Sequence, residues 1–422
     1  MKKLATIFLI LSGFVFAQPE NSSGALSHYS PNFFIDFLDY KSNLPGKTKV
    51  DVLIQLPYSS VQFVKEGKSF FSRYTIFLTF YDGNKNNVMF EKIWKENIET
   101  EDFEETYSSQ NFNISHRSFD LTPQKYVVVC AVEDMNSGQR ILFETELRVR
   151  KLEEVDISDI MFIKSIVLTE SGSEIVPNVS NILASNERNV TMLYEIYSDK
   201  DQSVSVKHTI TDQSRDINHY NFVTFELKKG LNTLQPELKE IPLKLGEFIM
   251  LVEVEDTDEN KICSTGKNFR ATIDGFPKTI VDLDEAIKQM KYFVNESKID
   301  SLLDIQNYDE RLKEFITFWK ERDPSPTTLE NELLNEYYRR IDYANKNFKG
   351  FYEGWQTDMG MVYVTLGPPN QVNREPVSID SKPYEIWDYY DINRRFLFVD
   401  HTGFGDYRLE NPQYGEWNHY RR

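Results

Sequence analysis

Nine aromatic, charged and polar side chains between residues 319 and 387 are the strongest candidates for chemistry in this 422-residue chain. Trp319 is followed closely by Arg322 and Asp323, and Arg340 lies on the next apolar-periodic segment. Trp355, Thr357 and Asp358 fall within four residues, and Tyr363 and Trp387 follow. Rings beside a guanidinium and carboxylates suit adhesion, because the ring supplies a large apolar anchor and arginine grips a planar acceptor with two parallel bonds. One reading is a groove lined by Trp319, Trp355, Tyr363 and Trp387, with Arg322, Asp323 and Asp358 at its edge. Such a groove would take a peptide strand, a glycan or another envelope protein. A second reading makes the same residues architectural. Gly354 permits a tight turn, Trp355 covers a seam between helix and sheet, and Thr357 and Asp358 bond backbone N–H groups at the start of a strand from Met361. Arg322, Asp323, Arg339, Arg340 and Asp342 then pair as ions that lock helices. A third reading is an envelope hydrolase with Asp323 or Asp358 as acid or base, which requires a carboxyl pKa raised in a deep pocket.

Other chemistries find little footing. None of the six histidines forms HExxH or a close pair, and no GxSxG elbow, P-loop or dinucleotide fingerprint occurs. Asp400, His401 and Thr402 are adjacent, but neighbours on a strand point to opposite faces. Glu133-Asp134 and Glu255-Asp256 sit at expected turns without the spacing of a calcium loop. Cys130 and Cys263 lie in apolar, strand-like runs of different expected domains, which favours two buried thiols over a disulfide. No cofactor and no metal is expected.

The run Gly354-Trp355-Gln356-Thr357-Asp358 resembles the signature of the GWxTD domain family of exported bacterial proteins. The resemblance extends over roughly residues 300 to 410. Upstream stand Trp319, Arg322-Asp323-Pro324-Ser325-Pro326, Thr328, Asn331-Glu332, Tyr338-Arg339-Arg340-Ile341, Ala344-Asn345 and Phe348. Downstream stand Gly360, Val362-Tyr363, Gly367-Pro368-Pro369, Tyr384-Glu385-Ile386-Trp387, Tyr389 and Phe396 to Asp400. The resemblance implies a domain and an exported chain with β-rich regions ahead of the motif. It implies no activity.

Periodicity sets out the elements that must position these residues. Val50, Val52, Ile54 and Leu56 alternate with polar residues, the aromatic and β-branched run 74–81 ends at the turn signal Asp82-Gly83, and strand-like segments at 88–94, 112–119, 126–132 and 141–149 complete the set. An immunoglobulin-like β-sandwich is expected over residues 46–151. Residues 155–275 repeat the plan. Tyr126–Asp134 and Phe248–Asp256, offset by 122 residues, are both aromatic-led apolar runs ending in an acidic pair. After Gly275-Phe276-Pro277 the spacing becomes helical: Leu283, Ile287, Met290 and Val294, then Leu312, Phe315, Ile316 and Trp319. Thr327-x-x-Glu330 reads as a capping box for a further helix whose stripe runs from Leu329 to Phe348. Strands are expected again at 361–366, 384–389, 395–400 and 407–409. The fold class is therefore multidomain: two tandem all-β immunoglobulin-like sandwiches followed by an α+β domain over 280–422, with helices packed on a small antiparallel sheet.

The start of the chain points to export. Lys2-Lys3, an apolar run from Leu4 to Phe16 and a small residue at Ala17 have the layout of a secretory signal over residues 1–17, with mostly a linker over 18–45, in which Phe33 to Leu38 could dock as a first strand or a turn of helix. A periplasmic or extracellular, outer-membrane-associated location follows, without an integral membrane span. The formal net charge of −18 would become −20 on loss of Lys2 and Lys3, which repels nucleic-acid backbones. The expected role is a non-catalytic envelope binding or scaffold protein. Its partner would be an envelope protein or peptide, with a glycan as the alternative, and the oligomeric state stays open.

Overall fold

A computed structural model describes residues 33–108, 111–169, 172–184, 189–212, 216–241, 243–273, 276–277, 279–326, 331–348, 350, 352–375 and 382–410. The expected signal segment falls outside them. The chain is mostly β, with a small α+β region at its C-terminal side. It divides into two compact units. The first contains residues up to Asn181 with 189–241 and 248–269; the second contains 182–188, 242–247 and everything from Arg270.

In the first unit, the strands Phe34–Lys41, Thr48–Pro57 and Phe112–Leu121 form one antiparallel sheet in that order. A second sheet runs Val64–Glu66, Ser69–Asp82, Lys125–Asp134, Arg140–Arg148, with Val88–Thr100 also on Ser69–Asp82. Period-two alternation drives this packing. Val50, Val52, Ile54 and Leu56 from one sheet and Ile76, Leu78, Phe80, Val128 and Cys130 from the other share one buried core. The ring of Phe80 meets Phe90, Phe119 and Tyr126 at 5.9–6.1 Å.

A further β region follows. Gly172–Pro177, Met161–Thr169, Val190–Ser198 and Gly230–Leu234 are ordered in one sheet, and Lys261–Thr272, Gly246–Glu255, Gln202–Asp212 and Ile217–Leu227 in another. Phe162 and Phe269 touch across the layers at 5.4 Å. The two apolar runs offset by 122 residues are both strands, and each hydrogen-bonds to the strand that follows it. Asp134 and Asp256 organise the turns between them. Asp134 accepts from the N–H of Asn136 and of Gln62, and Asp256 from those of Asp258 and Asn260. Among the described residues no group of three His, Cys, Asp or Glu side chains is placed to hold a metal ion. Cys130 and Cys263 are free and buried, and burial pushes both thiols up to about 12.

Within the segment read mostly as a linker, Phe34–Lys41 is a buried strand, one of the two forms open to Phe33–Leu38. Thr48–Pro57 pairs with one edge of it. The other edge is closed by side chains: the N–H of Asp39 donates to Asp159 and that of Lys41 to the Tyr197 hydroxyl, at 3.0 and 2.9 Å. A charged cluster lies along this seam. The Lys267 ammonium bonds both oxygens of Asp36 at 2.6 and 2.7 Å, and Arg150 pairs with Asp159 at 2.8 Å. Asp39 accepts from the Arg150 N–H. Burial pushes the Asp36 carboxyl up despite Lys267, and burial with the Asp159 charge pushes Asp39 well up.

His208, on Gln202–Asp212, is fully buried, with its Nε2 2.8 Å from the Tyr194 hydroxyl. Burial, then the nearby His219, pushes its pKa down to about 4. An unfolded chain, with its histidine near about 6.5, takes up the proton first as pH falls. The stability contributed by His208 is therefore full above about pH 6.5 and declines by about 3 kcal/mol as pH falls to about 4. Urea midpoints at pH 7 and pH 4.5 should show this decline, and His208→Gln should lessen it. An unchanged decline in the variant would assign the acid sensitivity elsewhere.

In the second unit, Ile182–Ala184 pairs in parallel with Arg270–Thr272. Five helices follow: α1 (Leu283–Gln289), α2 (Glu296–Leu303), α3 (Tyr308–Lys320), α4 (Glu332–Asn347) and α5 (Asp358–Leu366). Asp282, Asn295, Asn307, Asn331 and Thr357 cap their N-termini through side-chain oxygens. Asn331 begins α4; the expected capping box at 327–330 lies outside the described residues. The four strands Gln371–Glu375, Tyr384–Tyr389, Arg394–Asp400 and Tyr407–Leu409 form one antiparallel sheet in sequence order. Among the described residues, no helix is long and apolar enough to cross a membrane.

Candidate functional site

The candidate residues centre on α5, and α5 itself is a correction. The segment 361–366 was expected as a strand because Met-Val-Tyr-Val-Thr-Leu is β-branched and aromatic. It is helical because Thr357 fixes the start: its hydroxyl accepts from the Gly360 N–H at 3.0 Å and donates to the Gly354 carbonyl at 2.7 Å. Asp358 adds a negative charge in the first turn, where the helix dipole favours it. Its side chain accepts from the Leu409 N–H at 2.9 Å and so ties α5 to the last strand of the sheet.

Two glycines bring three stretches of backbone into contact. A Cβ on Gly354 would lie 2.0 Å from the Ala344 carbonyl oxygen of α4. A Cβ on Gly360 would lie 2.0 Å from the Gly354 carbonyl oxygen. The turn Gly354–Gln356 is thus pressed between α4 and α5, and no larger side chain fits at either position. Trp355 is fixed at four points. Its N–H donates to Asn345 and its indole N–H to Glu353, at 3.0 and 2.6 Å; its carbonyl accepts from the Tyr292 hydroxyl, and its ring meets Tyr292 edge-on. Gln356, the one variable position of the motif, is exposed.

The four rings do not line an open groove. Trp319 has no exposed surface and sits among Phe293, Phe315, Phe318, Tyr337 and Tyr338, in the same core as Trp355. Tyr363 and Trp387 are buried in a different core, between α5 and the sheet. Tyr363 stacks on Tyr343 at 4.3 Å, and Trp387 donates to Glu385. The reason is area: rings of this size stabilise a small domain most when removed from water, about 1.5–3 kcal/mol for a large apolar side chain.

The charged candidates hold backbone ends. Arg340 bonds Glu336 through Nε at 2.7 Å and donates from Nη1 to both the Val364 and Thr365 carbonyls, at the C-terminal end of α5. Its guanidinium also packs against Gly367, whose φ of 83° a side chain would strain. Arg339 forms a bidentate pair with Glu336, and Asp342 pairs with Lys346. Asp323 accepts from the Ser325 N–H and shapes the turn after α3. Arg322 is exposed, with its guanidinium 3.9 Å from the centre of the Phe318 ring and one nitrogen bonded to the Phe318 carbonyl. Thr357, Asp358, Arg340 and Trp355 are brought together around α5; Trp319, Arg322 and Asp323 gather at the end of α3.

One exposed feature was missed. After the strand ending at Asp400 the chain runs His401-Thr402-Gly403-Phe404-Gly405-Asp406. The Asp400 carboxylate is held by the N–H groups of Thr402, Gly403 and Gly405 and by the Thr402 hydroxyl, at 2.6–3.0 Å. These bonds keep the acid below the usual carboxylate range against a burial effect that raises it. His401 pairs with Glu410 and Lys382, not with Asp400. The result is a fixed loop with Phe404 at its tip, 92% exposed between two glycines of positive φ. The signal in the sequence was Gly-Phe-Gly directly after an apolar strand: only the flanking glycines let the ring project without a backbone penalty.

The family model described as the GWxTD domain matches residues 254–411. No curated protein matches the chain. Solved structures similar to parts of it include a glycosyl hydrolase family 2 member from Bacteroides cellulosilyticus, at 8% identity over 52% of this chain and 28% of that one, TM-score 0.23. Others are a putative beta-galactosidase from Bacteroides fragilis (10% identity, 55% and 34%, TM-score 0.21) and Bacteroides uniformis beta-glucuronidase 2 (9% identity, 58% and 32%, TM-score 0.22). The chain spans about a third of their length, and likenesses this distant carry no argument.

Proposed function

With residues 254–411 a GWxTD domain, we propose that the chain is a non-catalytic binding or scaffold protein of the bacterial envelope, exported by its N-terminal signal, with that domain as the contact module. The two β regions are tandem immunoglobulin-like spacers in this reading. The motif residues build the platform, and the Phe404 loop makes the contact. The observation that carries it is the combination of an exposed aromatic ring with a loop fixed to one buried carboxylate by three backbone N–H groups and a hydroxyl. A pre-ordered loop loses little entropy on docking, and a single large ring in a partner pocket supplies much of the binding energy. The occupant is another envelope protein offering an apolar pocket.

A photo-crosslinking residue at position 404, in cells, should capture one discrete envelope protein. Asp400→Ala, which frees the loop, should reduce the capture about tenfold or more. Phe103, also exposed but in the first β region, serves as the control position. Equal adducts from positions 103 and 404, or none from either, would reject the loop as the contact.

A further inference from the structure

The strand Ile217–Leu227 is the outer member of its sheet: it pairs with Gln202–Asp212 on one side, and among the described residues no strand pairs with the other. Open edges of this length invite strand addition, and proteins shield them with charges, prolines or bulges. Two other outer strands of this unit follow that rule. Val88–Thr100 carries Glu91, Lys92, Lys95, Glu96 and Glu99, and Arg140–Arg148 carries Arg140, Glu144, Glu146 and Arg148. Ile217–Leu227 reads INHYNFVTFEL, with Glu226 its only carboxylate and no lysine, arginine or proline. Its pairing is regular from His219 to Leu227, with an irregularity only beside the turn. Tyr220 and Phe222 stand on the outer face, opposite Thr209 and Lys207, half or more exposed and 6.4 Å apart.

We propose that two copies of the chain associate through this edge, each adding its Ile217–Leu227 strand antiparallel to the other across a two-fold axis at Phe222. The sequence is complementary to itself in that register. Phe222 faces Phe222, Tyr220 faces Thr224, Asn221 faces Val223 and His219 faces Phe225, while the two Glu226 side chains lie at opposite ends of the pair, so no carboxylates meet. The two sheets become one continuous sheet, every edge N–H and C=O gains a partner, and four aromatic rings cover each other on one face. The same register shifted by two residues would place Tyr220 against Tyr220 and Glu226 beyond the end of the partner strand, losing pairs at both ends.

Sedimentation velocity of the full-length mature chain over a concentration series should show a monomer–dimer equilibrium. Phe222→Lys places two ammonium groups at the axis and should raise the dimer Kd about tenfold or more. Position 222 is exposed, so the variant should keep its circular dichroism spectrum and thermal midpoint. Phe222→Cys should form a linked dimer under mild oxidation, since Cys130 and Cys263 are buried and their thiols unreactive. Leu231→Cys, exposed on another strand, is the control for random collision. A monomer at every concentration overturns the proposal. So does a dimer indifferent to Phe222→Lys, or one in which Phe222→Cys links no faster than Leu231→Cys. Linking of position 222 to a different protein in cell extract, without a self-linked product, also overturns it.

Discussion

Gly354→Ala is expected to cost the C-terminal fold about 3 kcal/mol or more, measured as the shift in the denaturant transition followed by tryptophan fluorescence. The added methyl would sit 2.0 Å from the Ala344 oxygen, 2.6 Å from its carbonyl carbon and 2.7 Å from the Asn345 Cα. All three are backbone atoms of α4, so relief requires moving a helix and not a side chain. Moving α4 disturbs Tyr337 and Tyr338, whose hydroxyls bond the Gln289 and Ala286 carbonyls, and disturbs Trp319 between them. Gly360→Ala should act in the same direction, against the Gly354 carbonyl. A loss below about 1 kcal/mol at position 354 would mean that the turn stands off from α4 and that the motif is free for another purpose.

Lys267→Met should destabilise the first unit by about 3–5 kcal/mol, because it leaves the Asp36 carboxylate buried without its cation. Both groups are nearly free of solvent, at 2% and 5% of side-chain surface, and the Asp36 pKa already stands above its ordinary value with Lys267 present. The pair therefore does not offset the full cost of removing its charges from water. The double variant Asp36→Leu with Lys267→Met should be near neutral or more stable than wild type, since two well-packed apolar groups replace two dehydrated ions. Melting curves of both single variants and the double variant provide a thermodynamic cycle. Additive losses would show that the 2.6 Å contact does not couple the two residues in solution.

Where the sequence was readable, the reason is periodicity. Alternating apolar residues identified the strand around Val50–Leu56, a continuous apolar run identified the one around Tyr126–Val132, and the three-and-four spacing around Leu312–Trp319 identified α3. Local rules failed where tertiary structure outweighs them. The residues of α5 favour a strand by type, yet a threonine cap and two glycine contacts make them a helix. The strand Phe34–Lys41 alternates poorly because both of its faces are buried, and the groups that close its edge, Asp159 and Tyr197, are more than a hundred residues away in sequence. The burial of Asp36 and Lys267 has no local signal, because charged residues rarely bury and the two meet across 231 residues.

The candidate site divides in the same way. That Thr357 and Asp358 bond nearby backbone was legible from their type; that they begin a helix was not. Aromatic residues close in sequence suggested a surface, but one-dimensional proximity does not distinguish a groove lining from a core. Trp319 and Trp355 entered one core, Tyr363 and Trp387 another. Phe404 stands just beyond the turn signal His401-Thr402-Gly403, and its place between two glycines is the local sign that the ring projects.

Amide hydrogen exchange, resolved by NMR, tests most directly whether the motif is a structural clasp. The N–H groups of Trp355, Gly360 and Leu409 are bonded by the side chains of Asn345, Thr357 and Asp358 respectively. If the motif holds the domain together, all three should exchange with the slowest class of amides in the C-terminal unit, and Thr357→Ala should speed them together. Exchange of these amides at the rate of the exposed Phe404 tip, with the domain still folded, would contradict a structural role and return the motif to the surface.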